Sequence, residues 1–271
     1  MINLVYTGGQ VMADERLIAA LDVHTMDDVK RLVTTLGDSV TYYKVGMELF
    51  YGVGAQVVTW LREQDKDVFL DLKLHDIPNT AAGGICSLMR LGATMLNVHA
   101  SGGYTMMKTA CDRMHAEAAE LGVKCPKLIA VTVLTSINQD DWRDMGLALQ
   151  IKSAVVRLAR LAQKAGLDGV VASAQEASLI REACGKDFLI VTPGIRPAGS
   201  DTHDQSRVAT PTSALTDGAT HLVIGRPIYA AADPKAAAEK IINEMETFYD
   251  YNPNPLPHVL LWWRDRFSFF L

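Results

Sequence analysis

The chain has 271 residues, of which 49% are hydrophobic and 21% charged, with a formal net charge of −5. That length suits one large domain or two small ones with a substantial core, and the acidic balance argues against sequence-independent nucleic-acid binding, which needs a basic field. No apolar run reaches the roughly 18 residues of a membrane span, and Cys86, Cys111, Cys125 and Cys184 show no C-x-x-C spacing, so zinc-ribbon and thioredoxin-type centres are set aside and a reduced, cytoplasmic setting is expected.

The opening "MINLVYTGGQVMADERL" lacks a basic stretch followed by an apolar signal core. Residues 1–16 are read as an N-terminal extension, and Met12 within them opens "MADERLIAALDV", itself a sensible start. From there short β-rich runs alternate with helical patterns. The strand candidates are "LIAALDV" (Leu17 to Val23), "YYKVGM" (Tyr42 to Met47), "VFLDLKL" (Val68 to Leu74) and "MLNVHA" (Met95 to Ala100). They continue with "KLIAVTVL" (Lys127 to Leu134), "GVVAS" (Gly169 to Ser173), "FLIVTPG" (Phe188 to Gly194) and "HLVIGR" (His221 to Arg226).

Between them lie helical stretches such as "MDDVKRLVTTLG", "VGAQVVTWLREQ" and "SAVVRLARLAQKAG". The last carries Val155, Val156, Leu158, Ala159, Ala162 and Ala165 on one broad face and stops at Gly166. Eight βα units in about 235 residues fit a (β/α)8 TIM barrel over residues 17–250, for which about 250 residues is typical. A doubly wound open sheet is the alternative, but even spacing without a second domain favours closure.

A barrel places function at the C-terminal ends of its strands. In "FLDLKL" a period of two puts Phe69, Asp71 and Lys73 on one face and Leu70, Leu72 and Leu74 on the other. Asp22 and Lys44 fall at matching ends of the first two strands, Asp76 lies just past the third, Thr135 and Arg196 follow the fifth and seventh, and Gly225–Arg226 ends the eighth. An isolated D-x-K reads as a strand-end salt bridge. Here the charges gather at one end of the barrel, and ionised groups packed this closely persist when paired, hydrogen-bonded or functional.

These residues carry a resemblance. "DLKLHDIPNT", with its D-x-K-x-x-D core, resembles the signature of orotidine 5′-monophosphate decarboxylases of the bacterial type, and "ALDV", "YYKVGMELF", "NVHASGG", "VTVLTS", "TPGIRP", "DQSR" and "IGRPI" extend the likeness from Leu17 to Met245. The resemblance implies a cofactor-independent conversion of orotidine 5′-monophosphate to uridine 5′-monophosphate in pyrimidine synthesis. It implies that Asp71 faces the substrate carboxylate, that Lys73 protonates C6, and that Lys44 and Asp76 complete an alternating array. Asp22 is implied to bind the ribose hydroxyls and Thr135 the pyrimidine edge. Gln205, Arg226 and the Gly225–Arg226 amides are implied to hold the phosphate, with Arg196 on the same loop. It further implies a homodimer in which Asp76, Ile77 and Thr80 reach in from the partner.

Loss of carbon dioxide leaves negative charge on a ring carbon, and a positioned ammonium beside it supplies both stabilisation and a proton. "RPAGSDTHDQSRVATP" (Arg196 to Pro211) reads as a lid, or else as a plain surface loop, and "SINQDDWRDMG" as a smaller flap. His24, His75 and His99 near strand ends raise a metal site with Asp22 and Asp76, against which stand Lys44 and Lys73 in the same pocket. "GVGAQ" (Gly52 to Gln56) reads as a helix start rather than a dinucleotide loop, and Ser101 in "HASGG" lacks the nucleophile elbow. The tail at 251–271, with Trp262, Trp263, Phe267, Phe269 and Phe270, departs from the family pattern and receives no role. Two rivals stand beside this reading. One is a magnesium-dependent sugar-phosphate decarboxylase of the same superfamily, in which a carboxylate replaces the second-strand lysine. The other is a silent phosphate-binding barrel.

Overall fold

The computed structural model describes residues 12–197 and 209–251. Within them eight parallel strands close in sequence order. They are β1 (Leu17–Ala20), β2 (Tyr42–Gly46), β3 (Asp67–Leu74), β4 (Met95–His99), β5 (Lys127–Val131), β6 (Gly169–Val171), β7 (Leu189–Thr192) and β8 (His221–Ile224). Closure is made by β1 against β8, with Leu17 opposite Leu222 and Ala19 opposite Ile224. The architecture is the (β/α)8 barrel, not the open sheet.

Helices cover the barrel between strands: α1 (Met26–Leu36), α2 (Met47–Val53), α3 (Gln56–Glu63), α4 (Pro78–Arg90), α5 (Gly103–Leu121) and α6 (Gln139–Asp144). The second half adds α7 (Ile151–Lys164), α8 (Ala174–Cys184), α9 (Pro211–Thr216), α10 (Arg226–Tyr229) and α11 (Pro234–Tyr251). Local chemistry sets their ends. At α1 the Thr25 side chain accepts from the Asp28 amide, Asp27 and Asp28 complement the helix dipole, and Val29, Leu32, Val33 and Leu36 form the buried stripe. The 19-residue α5 stops at Gly122, whose left-handed φ of 66° a side chain would resist.

The strands alternate between two cores. Inside the barrel, Ile18, Ala20, Tyr42, Phe69, Met95, Ile129, Val191 and Val223 form a closed plug. Residues one step away, such as Leu17, Ala19, Tyr43, Val45, Leu70 and Leu96, face the helices. The plug makes the interior a packed core, so only the residues beyond it, toward the C-terminal ends of the strands, border open space.

Several boundaries differ from expectation. The ladders end at Ala20, Val131, Val171, Thr192 and Ile224, short of the predicted Val23, Leu134, Ser173, Gly194 and Arg226, because the chain leaves the sheet there to build the rim. "GVGAQ" is a break between two helices rather than the start of one: Gly52 and Val53 finish α2, Gly54 with φ 77° caps it, and Gln56 opens α3. The apolar stripe of α7 is narrower than its sequence pattern, burying Ile151, Ala154, Val155, Ala159 and Ala162 while Val156 and Leu158 are half-buried at its edges. Residues 1–11, the tail after Tyr251 and the span 198–208, with Gln205 and most of the expected lid, lie outside the described residues.

Candidate active site

The site begins with an irregularity in β3. Phe69 and Leu70 pair regularly with Met95 and Leu96, but the next pair joins Leu74 to Val98. Three residues of β3, Asp71, Leu72 and Lys73, therefore stand opposite the single residue Asn97. Lys73 takes up the excess with a φ of +54°, one of two non-glycine residues in the left-handed region among those described. Simple alternation explains Phe69 and Asp71 on the interior face, but the backbone at Lys73 is no longer that of a flat strand. A β-branched or bulky residue at positive φ costs free energy that the surroundings must offset.

The charges expected from sequence do meet. The Lys73 Nζ lies 2.7 Å from Asp71 Oδ1, and the Lys44 Nζ lies 3.7 Å from Asp71 Oδ2 and 3.2 Å from Asp22 Oδ1. Asp71 is the buried centre of this chain of charges, and its side chain is 12% exposed against 47% for Asp22. Burial pushes its pKa up, but the Lys44 and Lys73 ammonium groups, with hydrogen bonds from Lys73 and Asn97, outweigh that and hold the carboxyl below its ordinary range. Asp71 therefore stays ionised at neutral pH, held between two cations.

Asp76 does not join the cluster within one chain. It sits exposed past β3 and accepts a 2.6 Å hydrogen bond from the Ile77 amide, at the entry to α4. Ile77 is 68% exposed and Thr80 is exposed on the first turn. An open cleft of about 670 Å³ runs past them, lined by His75, Asp76, Ile77, Pro78, Ser101 and Gly102.

The far side of the mouth is basic. Gly225 follows the eighth strand and is the N-cap of α10, whose first residue is Arg226. A Cβ at Gly225 would approach Asp22 Oδ2 to 3.0 Å, so a larger residue there would press on the β1 carboxylate. Arg196 is buried and donates from Nη1 to the Ile195 carbonyl at 2.8 Å, while its Nε has no partner among the described residues. Burial and the neighbouring Arg226 guanidinium both lower the Arg196 pKa. The ends of the expected lid are joined, since the Arg196 amide donates to the Ala209 carbonyl at 2.9 Å and Ile195 bridges Ala209. Thr135 is half-buried on the segment that leads from β5 to α6. That flap is a built element: Asn138 caps α6 through the Asp140 and Asp141 amides, and the Trp142 indole donates to the Leu149 carbonyl at 2.8 Å.

The histidines have local partners. His24 lies 2.9 Å from Glu48, and the His75 and His99 rings sit 5.5 Å apart in a tilted arrangement. Burial first, and then His75 and Lys73, push the His99 pKa down. Among the described residues no three His, Cys, Asp or Glu side chains converge as a metal set.

Sequence reasoning passed over Asn97. It is 1% exposed, its Oδ1 accepts the Lys73 amide at 2.7 Å, and its Nδ2 donates to Asp71 Oδ1 at 2.7 Å. The signal was present in "MLNVH": an amide two residues from Met95 falls on the barrel interior, where an apolar side chain is the rule.

A model of the family described as "Orotidine 5'-phosphate decarboxylase / HUMPS family" matches residues 15–241. The chain belongs to that family. Among curated relatives named orotidine 5'-phosphate decarboxylase, the one from Moorella thermoacetica is 51% identical over 235 residues, 86% of this chain and 93% of the relative. The one from Geotalea uraniireducens is 48% identical, over 86% of this chain and 96% of the relative. The crystal structure of the enzyme of that name from Lactobacillus acidophilus superposes with a TM-score of 0.76 at 43% identity, covering 86% of this chain and 99% of the other. The family match thus spans β1 to β8 and every candidate site residue on them.

Proposed function

We propose that the protein is an orotidine 5′-phosphate decarboxylase, releasing carbon dioxide from orotidine 5′-monophosphate to give uridine 5′-monophosphate in pyrimidine biosynthesis. The observation that carries this reading is the Lys44–Asp71–Lys73 cluster, assembled at the mouth of a barrel of this family. In the reaction the bond between C6 and the carboxylate breaks, carbon dioxide departs, and the electron pair stays on C6. Lys73 then transfers a proton from Nζ to C6, leaving a neutral amine that regains its proton from solvent.

The chain's own groups account for the energetics. An ammonium already hydrogen-bonded to Asp71 stabilises charge developing beside it without reorganising. The Asp71 carboxylate faces that of the substrate, and two unit charges about 4 Å apart interact by roughly 4 kcal/mol at an effective dielectric of 20. That repulsion is relieved as carbon dioxide leaves, and it adds to the larger stabilisation by Lys73. Asp22 and Lys44 receive the ribose hydroxyls and Thr135 the pyrimidine edge. The amides of Gly225 and Arg226, the Arg226 side chain, Gln205 and Arg196 hold the phosphate, whose binding aligns a ring several bonds away.

The active unit is a homodimer, in which Asp76, Ile77 and Thr80 complete the partner's site. Their exposure at the rim, 68% for Ile77, supports that role. The chemistry needs neither metal nor organic cofactor, and the setting is cytoplasmic. The magnesium-dependent rival needs a carboxylate where Lys44 places an ammonium 3.2 Å from Asp22 and 3.7 Å from Asp71.

Loss of orotidine 5′-monophosphate absorbance tests the reading. Turnover that persists in EDTA is expected. Binding of the nucleotide without turnover, or turnover abolished by EDTA and restored by magnesium, would overturn it.

A further inference from the structure

The bulge in β3 raises a question that the charged cluster does not answer: what holds Lys73 in a left-handed backbone conformation. The parallel ladder fails where β3 has three residues opposite one of β4. The Asn97 side chain takes the place of the missing ladder bonds and spans the bulge, bonding to the main chain of Lys73 at one end and to the carboxylate of Asp71 at the other.

The donor and acceptor assignment is forced. The Lys73 N–H can only donate, so it selects the amide oxygen, and this turns the amide nitrogen to the Asp71 carboxylate, which can only accept. Both short bonds lie in a position 1% exposed, out of reach of water as a substitute. An amide meets both demands at once. A carboxylate of the same shape would keep the bond to Lys73 and lose the donor to Asp71. An apolar side chain would lose both.

We infer that Asn97 is a positioning residue for decarboxylation, setting through one amide both the backbone from which Lys73 delivers its proton and the orientation of the Asp71 carboxylate. The assignment rests on the proposed activity. Both polar atoms of the Asn97 side chain are bonded to Lys73 and Asp71, so it acts through those two residues. Around it stand Asp71, Lys73 and Lys44, with His99 two residues along the same face of β4 and His75 against that ring.

The decisive comparison is Asn97→Asp, which preserves shape, beside Asn97→Ala. Turnover by the parent enzyme is measured in the same assay, and parent turnover tests the activity itself. A misplacement of about 1 Å in a reacting group costs on the order of 10²-fold, so Asn97→Asp is expected to lose about that factor in kcat near neutral pH while KM moves only a few-fold. Two adjacent carboxylates raise the pKa of one of them, and a protonated Asp at position 97 donates to Asp71 as the amide does. The ratio of variant to parent kcat should therefore rise as pH falls, whereas Asn97→Ala, with no proton to gain, keeps a constant ratio.

Several results would overturn the inference. They are a kcat for Asn97→Asp within about three-fold of the parent, a loss confined to KM, or a variant-to-parent ratio independent of pH. An Asn97→Ala chain that does not fold leaves the decision with the isosteric variant. A parent without turnover removes the activity and this assignment together; an active parent with an unaffected Asn97→Asp removes the assignment alone.

Discussion

His221 opens β8 at the end of the barrel away from the charged cluster, with its ring edge-on to Tyr42 at 6.3 Å and Nδ1 3.0 Å from Thr220 Oγ1. Burial pushes its pKa down to about 4, while an unfolded histidine titrates near 6.5. Between those values the unfolded chain binds the extra proton. The stability this ring contributes is fully present above about pH 6.5 and is lost as pH falls toward 4, at a slope on the order of 1 kcal/mol per pH unit. Denaturant titrations across that window should show a shallower loss for His221→Gln than for the parent, with turnover unaffected; parallel curves would show that another group sets the slope. Single residues were also the best and worst of what could be read from sequence. Asp71 and Lys73 stood out because two charges interrupt an apolar run, whereas Asn97 hid in a strand with no charge to mark it.

Strand β6 is short and lies against β7 with almost no room between main chains. A Cβ added at Gly169 would fall 2.3 Å from the Leu189 carbonyl oxygen and 2.4 Å from its Cβ, atoms of the backbone and its first branch that cannot swing aside. Gly169→Ala should destabilise the barrel by about 1–3 kcal/mol, the usual cost of overpacking. For a domain of this size each kcal/mol lowers the melting midpoint by about 2–4 °C, which thermal unfolding checks; an unchanged midpoint would mean that the two strands separate freely. All eight strands and the alternation that feeds two cores were legible, because a period of two is a local property of the chain. The C-terminal ends of five of them were not. A ladder ends where its neighbour's main chain departs, and at β3 it slips by two residues against β4, which depends on both strands at once.

Around the barrel, side-by-side pairing of β1, β2 and β3 brings Asp22, just past β1, together with Lys44 on β2 and Asp71 on β3, Lys44 lying within ion-pair distance of both carboxylates. The second carboxylate of the proposed array, Asp76, stays outside the cluster of its own chain, so the dimer is open to a direct test. Lys73→Ala and Asp76→Ala proteins, each nearly inactive alone, should recover part of the activity when their subunits are mixed, because one of the two sites in a mixed dimer carries both defects and the other neither. Demonstrated heterodimers without recovery would place Asp76 in its own chain's site. By itself the sequence determined the βα alternation, the barrel class and the residue types of the charged mouth, since period, length and the rarity of charge in apolar strands are all written along one chain. The tertiary structure alone decided that β3 slips against β4, that Lys73 takes a left-handed backbone, and that one buried amide on β4 binds both the amide of Lys73 and the carboxylate of Asp71. Each of these is a contact between residues far apart in the chain, and such contacts exist only once the strands have paired.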